Sequence, residues 1–235
     1  MIHYRPLGPI AAISFDLDDT LYDNGPAINR AEQRLDAWLA ERVQLLTDSR
    51  QYFHGWRKRV IQENPWLAHD TTASRQQALS QGLLALGVRD APALADAAMT
   101  HFLNWRSEIR IADEVISLLD YLSQRRPLVA ISNGNANIEK MGLSPYFKAS
   151  FHAGGVRRMK PATDLFAAAA QHLRLTPAAI LHIGDRLDHD IAGALAAGYQ
   201  TAWFNPQRHS LLTQSRGQQL PHLEIQSLAS LRQLL

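Results

Sequence analysis

The sequence predicts an α/β fold, a doubly wound parallel sheet with an all-helical block inserted after its first strand. Three observations carry this expectation. Short continuous apolar runs (Ile10 to Ile13, Leu128 to Ile131, Ile180 to Ile183, Thr201 to Phe204) alternate with amphipathic stretches, as in parallel strands buried on both faces. Between the first two runs, from about Tyr22 to Ser107, only helical periodicity occurs. Unusual polar groups collect where the runs end, at Asp16 and Asp18, at Ser132, and at Gly184-Asp185. Open parallel sheets bind ligands at such strand ends.

Taken in order, Ile10-Ala11-Ala12-Ile13 reads as the first strand, and four carboxylates (Asp16, Asp18, Asp19, Asp23) follow it closely. A strand interior cannot absorb that charge, so it belongs at the strand's exit. Ile28, Ala31, Leu35, Trp38, Leu39, Val43 and Leu46 then recur at helical spacing, with Pro26 near the first turn. A second helix covers Tyr52 to Ile61 and ends at Asn64-Pro65; a third runs from about Thr72 to Leu86 and stops at Gly87. The fourth opens at Asp90-Ala91-Pro92, with Leu94, Ala98, Phe102 and Trp105 on one face. This block is large enough for a small domain of its own, giving a helical domain at 22–107 and an α/β core at 1–21 and 108–235.

Beyond it, a helix from Asp113 to Gln124 precedes the Leu128 run, and a weaker strand lies near Ser150 to Ala153. Lys160-Pro161 opens an alanine-rich helix, Ala162 to Leu173. Another helix runs from about Asp188 to Ala197 and stops at Gly198. His222 to Ile225 and Leu228 to Leu235 add an edge strand and a closing helix.

Composition excludes several classes. With 46% apolar and 20% charged residues the chain is that of an ordinary soluble protein. A net charge of +2 argues against a dedicated nucleic-acid binder. No apolar run approaches the roughly 18 residues of a membrane span, and the start of the chain lacks an apolar core of signal-peptide length. Cysteine is absent, which removes disulfides and thiolate metal sites and fits a cytoplasmic protein.

Asp16 and Asp18 stand two apart, so in an extended segment their side chains project to the same side. Two unit charges ~4 Å apart repel by about 4 kcal/mol at an effective dielectric near 20. A divalent cation removes that cost and attracts phosphate, and oxygen-only ligands point to Mg²⁺, with Asp185 as a third carboxylate. The plainer reading is a solvated turn that caps the next helix. Ser132 can donate its hydroxyl to a phosphate oxygen, as can the amides of Asn133 and Gly134 leading into a short helix; alternatively Ser132 is a simple helix cap. Lys160, placed at a helix start against the dipole, calls for an anionic partner. His182 and His189 read as structural, and Asp188 either pairs with Arg186 or caps the helix.

These residues resemble the motifs of the haloacid dehalogenase superfamily of phosphohydrolases. Asp16-Leu17-Asp18-Asp19-Thr20 is similar to its D-x-D-x-T signature, Ser132-Asn133-Gly134 to its second motif, Lys160-Pro161 to its third, and Gly184-Asp185 through Asp190 to its fourth. Arg186 departs from the small or acidic residue many relatives carry there. The resemblance implies a Rossmann-like core, a cap in the helical block, and a Mg²⁺-dependent phosphatase with Asp16 as nucleophile and Asp18 as acid–base. It further implies metal ligation by Asp16, the backbone carbonyl of Asp18 and Asp185, with Asp190 bound through water or placed behind the ligands. Substrate phosphate would be held by Thr20, Ser132, Asn133, Gly134 and Lys160.

Dehalogenases of the superfamily lack the second aspartate, so Asp18 favours phosphatase. A phospho-acceptor signalling domain also phosphorylates an aspartate on an α/β core, but the helical insertion and Asp18 count against it. Within the family the chain is most similar to its bacterial flavin-pathway branch, which implies 5-amino-6-(5-phospho-D-ribitylamino)uracil and FMN as substrates. Other small phosphorylated metabolites, such as sugar phosphates or nucleotides, are the alternative. No nucleic-acid or membrane partner is expected, and the chain is expected to be a monomer or weak homodimer.

Overall fold

Burial sorts the strands of the sheet. The computed structural model describes residues 1–44, 48–214 and 220–234. It contains β1 (Ile2–His3), β2 (Ala12–Phe15), β3 (Leu128–Ser132), β4 (Phe147–His152), β5 (Ile180–Gly184), β6 (Gln200–Phe204) and β7 (Leu223–Ile225). Every residue of β2, β3, β5 and β7 is buried, and exposure appears only toward the sheet edges. The order is β1-β7-β6-β5-β2-β3-β4. All neighbours are parallel except β1 and β7. The α/β class read from the sequence holds.

Both faces are covered, as a parallel sheet requires. Ile13, Phe15 and Ala130 face α5 (Asp113–Ser123) through Leu118, Leu119 and Leu122, together with the 3₁₀ segment Leu228–Leu234. Ala12, Val129 and Ile131 alternate to the other face, where they meet Leu165, Phe166 and Ala169 of the helix Asp164–Leu173. Central β2 lies between β5 and β3, with Phe15 level with both Ile183 and Ala130. The exits of these three strands therefore sit side by side.

The insertion between β2 and β3 comprises α1 (Asn24–Ala40), α2 (Ser49–Glu63), the 3₁₀ turn Pro65–His69, α3 (Thr71–Ala85) and α4 (Ala91–Arg106). Its own core joins Leu35, Leu39, Leu79, Leu83, Ala95, Met99 and Phe102. Three aspartates cap its helices: Asp23, Asp48 and Asp70 accept from the amides of Gly25, Gln51 and Ala73 at 3.0, 2.9 and 2.8 Å. Such caps satisfy donors that a helix start leaves unpaired. The insertion docks on the core through a few polar contacts. Asp70 accepts from Gly155 N (3.0 Å), Trp66 Nε1 donates to Gly155 O (2.8 Å), and Asn135 Nδ2 donates to Thr72 Oγ1 (3.0 Å). No helix among the described residues is long and apolar enough to cross a membrane.

Several boundaries differ from the expected ones. α1 ends at Ala40, leaving Val43 buried in the loop that follows; Leu46 lies outside the described residues. The helix after Lys160-Pro161 begins at Asp164 rather than Ala162, because the backbone of Lys160 is held in a turn by Asn133. The stretch from Asp188 opens as one π-helical turn, Leu187–Ile191, and only Ala192–Ala196 is α-helical. The closing segment is 3₁₀ and not α, with Leu235 outside the described residues. The edge strand β1 was not expected; two residues are too few to show a period.

Two glycines separate packing from propensity. A Cβ on Gly193 would come within 2.7 Å of Phe166 Cε2 and 3.0 Å of Pro161 Cα, beside Lys160, whereas one on Gly55 in α2 would meet nothing within 4 Å. Gly55→Ala should stabilise by up to about 1 kcal/mol, the helix-propensity difference. Gly193→Ala should destabilise by roughly 1–3 kcal/mol through overpacking. Urea unfolding of the two variants checks both signs.

Candidate active site

At the exit of β2 the chain keeps the strand's pairing for one more residue: Asp16 N donates to Ile183 O at 2.8 Å. This fixes Asp16 over the sheet, buried, with its carboxylate toward the exit of β5. Lys160 Nζ lies 2.5 Å from Asp16 Oδ1, 2.6 Å from Asp190 Oδ1 and 2.7 Å from Ile131 O. An ammonium has three donors, and all three are taken. Lys160 itself is only 3% exposed. Its backbone is strapped by the Asn133 side chain, which accepts from Lys160 N (2.7 Å) and donates to Lys160 O (3.0 Å).

Asp185, at the exit of β5, and Asp190, in the π-helical turn, complete the cluster. Carboxylate oxygens of Asp16, Asp185 and Asp190 lie within 4.8 Å of one another, a grouping that can hold a metal ion. Thr20 Oγ1 sits between Asp185 Oδ1 (3.3 Å) and Asp16 Oδ2 (3.5 Å). Asp190 Oδ2 accepts from Arg186 N at 3.0 Å, which, with Lys160 on Oδ1, engages both of its oxygens.

Three carboxylates thus crowd one ammonium, which contacts only Asp16 and Asp190 among them. Burial pushes the Asp16 carboxyl well above the usual range even against Lys160. Burial and then Asp190 push Asp185 up to about 7. Burial would raise Asp190 too, but Lys160 outweighs it and holds that carboxyl far below its ordinary value. With all three ionised, the cluster would carry more negative charge than Lys160 neutralises, so Asp16 and Asp185 hold protons unless a further positive charge is present. That is the electrostatic condition for a bound cation.

Asp18 lies apart from this group. Its Oδ1 accepts from the Tyr22 hydroxyl and, at 2.6 Å, from Arg106 Nη2, the last residue of α4. Its Oδ2 faces the turn after β3, where a Cβ on Gly134 would collide with it. In that turn Gly134 N donates to Ser132 Oγ at 2.9 Å. The Ser132 hydroxyl proton is thereby left for another acceptor.

The structure therefore divides the acidic stretch after β2. Asp16 and Asp18 point at the strand exits, while Asp19 accepts from Asn24 N at 2.8 Å and Asp23 caps α1. The plainer turn-and-cap reading fits Asp19 and Asp23 only. No helix follows Ser132-Asn133-Gly134, so the expected helix dipole is missing there, as is the alternative of Ser132 as a helix cap. The Asn133 side chain is turned toward Lys160, leaving its backbone amide as the group available to a ligand.

His182 is buried, with Nδ1 2.9 Å from Ser14 Oγ and its ring edge-on to Phe166; burial lowers its pKa. His189 lies against Asp188, which pairs with Arg186 at 2.7 Å. Sequence reasoning missed Arg106 and the Tyr22 hydroxyl. The available signal was the buried stripe Ala91, Ala95, Ala98, Met99, Phe102 of α4, on which Arg106 falls next. An arginine there must find a buried anion.

A cleft of about 1270 Å³ opens beside the cluster, bordered by Thr20, Tyr22, Asp185, Trp203 and Asn205. Known proteins resemble this chain in sequence and fold. Residues 10–198 match the family model of haloacid dehalogenase-like hydrolases. Over 238 residues and 100% of both chains, the sequence is 40% identical to the 5-amino-6-(5-phospho-D-ribitylamino)uracil phosphatase YigB of Escherichia coli (strain K12). It is 27% identical to the N-acylneuraminate-9-phosphatase of Mus musculus, covering 97% of this chain and 95% of that one. The crystal structure of a 2-haloacid dehalogenase from Pseudomonas syringae pv. Tomato DC3000 superposes with a TM-score of 0.87 at 33% identity, covering 96% and 97% of the two chains. The chain belongs to the haloacid dehalogenase-like hydrolase family.

Proposed function

We propose that the chain is a Mg²⁺-dependent phosphatase that hydrolyses small phosphomonoesters through an aspartyl-phosphate on Asp16. The observation that supports it most is the division of labour between two nearby carboxylates. Asp16 sits in the cation-ready cluster against Lys160, and Asp18 sits outside it with one oxygen toward the Ser132–Gly134 turn.

Asp16 and Asp185, with the backbone carbonyl of Asp18, would hold the cation. When bound it offsets the repulsion between an anionic nucleophile and an anionic substrate. Asp190, with both oxygens engaged by Lys160 and Arg186 N, acts behind these ligands or through water. Thr20 supports Asp16 and Asp185 more directly than it meets substrate. A carboxylate oxygen of Asp16 attacks phosphorus, and the bond from phosphorus to the alcohol oxygen breaks. Asp18 gives that oxygen its proton, then takes one from the water that attacks the aspartyl-phosphate, freeing inorganic phosphate and Asp16. The Ser132 hydroxyl and the amide of Asn133 bind phosphate oxygens, while the Gly134 amide holds Ser132 Oγ in place. Lys160, its donors already used, fixes Asp16 and contributes charge.

The helical block at 22–107 is proposed as the cap that selects the alcohol part. Similarity to YigB over the full chain favours 5-amino-6-(5-phospho-D-ribitylamino)uracil, with FMN as a related substrate. One observation favours a second reading, the 33% identity to a 2-haloacid dehalogenase. Halide release needs no leaving-group acid, so Asp18 separates the two.

Asp16→Asn should cut Mg²⁺-dependent phosphate release from an aryl phosphate by on the order of 10⁴-fold. Turnover without Mg²⁺, an unaffected variant, or halide release from a 2-haloacid would each contradict the proposal. In a panel of phosphomonoesters, FMN should be hydrolysed faster than hexose phosphates; the reverse order would remove the flavin-pathway assignment.

The Asp185 carboxyl provides a further test. Its folded pKa of about 7 lies above the ordinary 3.8, so the folded chain holds a proton between these values that the unfolded chain has lost. The contribution of Asp185 to stability therefore falls as pH rises through that window. With a chelator at pH 8, Asp185→Asn should melt above wild type, and the gap should close by about pH 4.5. Mg²⁺ should raise the wild-type melting temperature at pH 8 and leave the variant unchanged. A variant that melts below wild type in chelator at pH 8 would reverse the sign.

A further inference from the structure

We propose that Arg106 and Tyr22 are positioning residues that aim one oxygen of Asp18 at the leaving group, tying that aim to both ends of the helical insertion. The inference rests on the phosphatase reading above, in which Asp18 is the acid–base.

The geometry makes the two oxygens of Asp18 unequal. Oδ1 accepts from the Tyr22 hydroxyl and from Arg106 Nη2 at 2.6 Å. Neither partner can take a proton in exchange: a guanidinium has no acceptor, and a phenol gives up its proton only at high pH. A proton carried by Asp18 therefore sits on Oδ2. That oxygen lies against Gly134, in the turn that offers the Ser132 hydroxyl and the Asn133 amide to a phosphate.

The two positioning groups come from opposite ends of the insertion. Tyr22 lies two residues before the start of α1, and its carbonyl accepts from Asp19 N at 2.8 Å. Arg106 closes α4, 88 residues from Asp18, and is 2% exposed. The next residue, Ser107, accepts through its hydroxyl from Asn137 N at 3.0 Å, tying the same junction to the loop after the Ser132 turn. Arg106 Nη1 is buried without a partner among the described residues. An arginine placed for stability alone would have its buried donors matched. Here one arm of the fork is given to Asp18 and the other is left unused.

Leaving-group dependence separates positioning from structure. An alkyl phosphate needs its departing oxygen protonated, whereas 2,4-dinitrophenyl phosphate leaves as a stable phenolate. Values of kcat/KM are measured on FMN, or on a hexose 6-phosphate if FMN is not turned over, and on the dinitrophenyl ester. Tyr22→Phe should lose about 10-fold and Arg106→Met about 10²-fold on the alkyl ester, within the range of general-acid contributions. Arg106→Lys should recover part of the loss. On the dinitrophenyl ester all three should stay within roughly 3-fold of wild type, since the acid is not needed there.

Equal losses on both esters, or none on either, would overturn the proposal. Tyr22→Phe removes a single oxygen, so it carries the test if Arg106→Met fails to fold. The phosphatase reading fails separately and visibly, through a wild-type enzyme that hydrolyses neither ester or an Asp16→Asn variant that retains activity.

Discussion

The Lys160 ammonium is the interaction on which the site depends. It binds Asp16 from β2, Ile131 O from β3 and Asp190 from the turn after β5, so one side chain joins three separate segments at the sheet's carboxyl edge. Removing one member of a buried ion pair typically costs about 3–5 kcal/mol, because the charge left behind has no partner. The arrangement around Lys160 is correspondingly tight. Asn133 holds its backbone, and Gly193 lets the helix Ala192–Ala196 approach Pro161 without a side chain between them.

The same array leaves a deliberate imbalance. Two of the three clustered carboxylates contact Lys160, whereas Asp185 has no cation in salt-bridge contact among the described residues, and burial and then Asp190 lift it to about 7. Asp18 follows a different logic. It is held by hydrogen-bond donors from the insertion and not by the core cluster, so its orientation depends on the position of the helical block. The proposed nucleophile and acid–base, Asp16 and Asp18, are two residues apart in sequence but answer to different parts of the fold.

Much of this was legible in the sequence because the core strands are continuous apolar runs and the chemistry sits at their ends. Asp16, Lys160, Asp185 and Asp190 converge because β2, β3 and β5 are neighbours, and the order of apolar runs and motifs was enough to suggest it. Side-chain straps were not legible. Nothing in Ser132-Asn133-Gly134 says that Asn133 turns away to hold Lys160, since that bond closes a loop of 27 residues. Arg106 was hidden for the opposite reason: its helical stripe was visible, but its partner was not. A buried arginine at a helix end pairs with whatever anion the tertiary fold presents, and the junction brings Asp18 to it. The turn after Lys160 and the π-helical turn at Leu187–Ile191 also depend on such contacts, which local propensity does not encode.

The most direct test of the central claim is where a phosphoryl group rests during turnover. Wild-type enzyme hydrolysing 2,4-dinitrophenyl phosphate with Mg²⁺ is quenched in acid, digested, and mapped by mass spectrometry. The account predicts one phosphoryl group on the peptide that carries Asp16, lost on treatment with hydroxylamine as an acyl phosphate is. A phosphoryl group on a histidine, on Asp18 or on any other residue would contradict it.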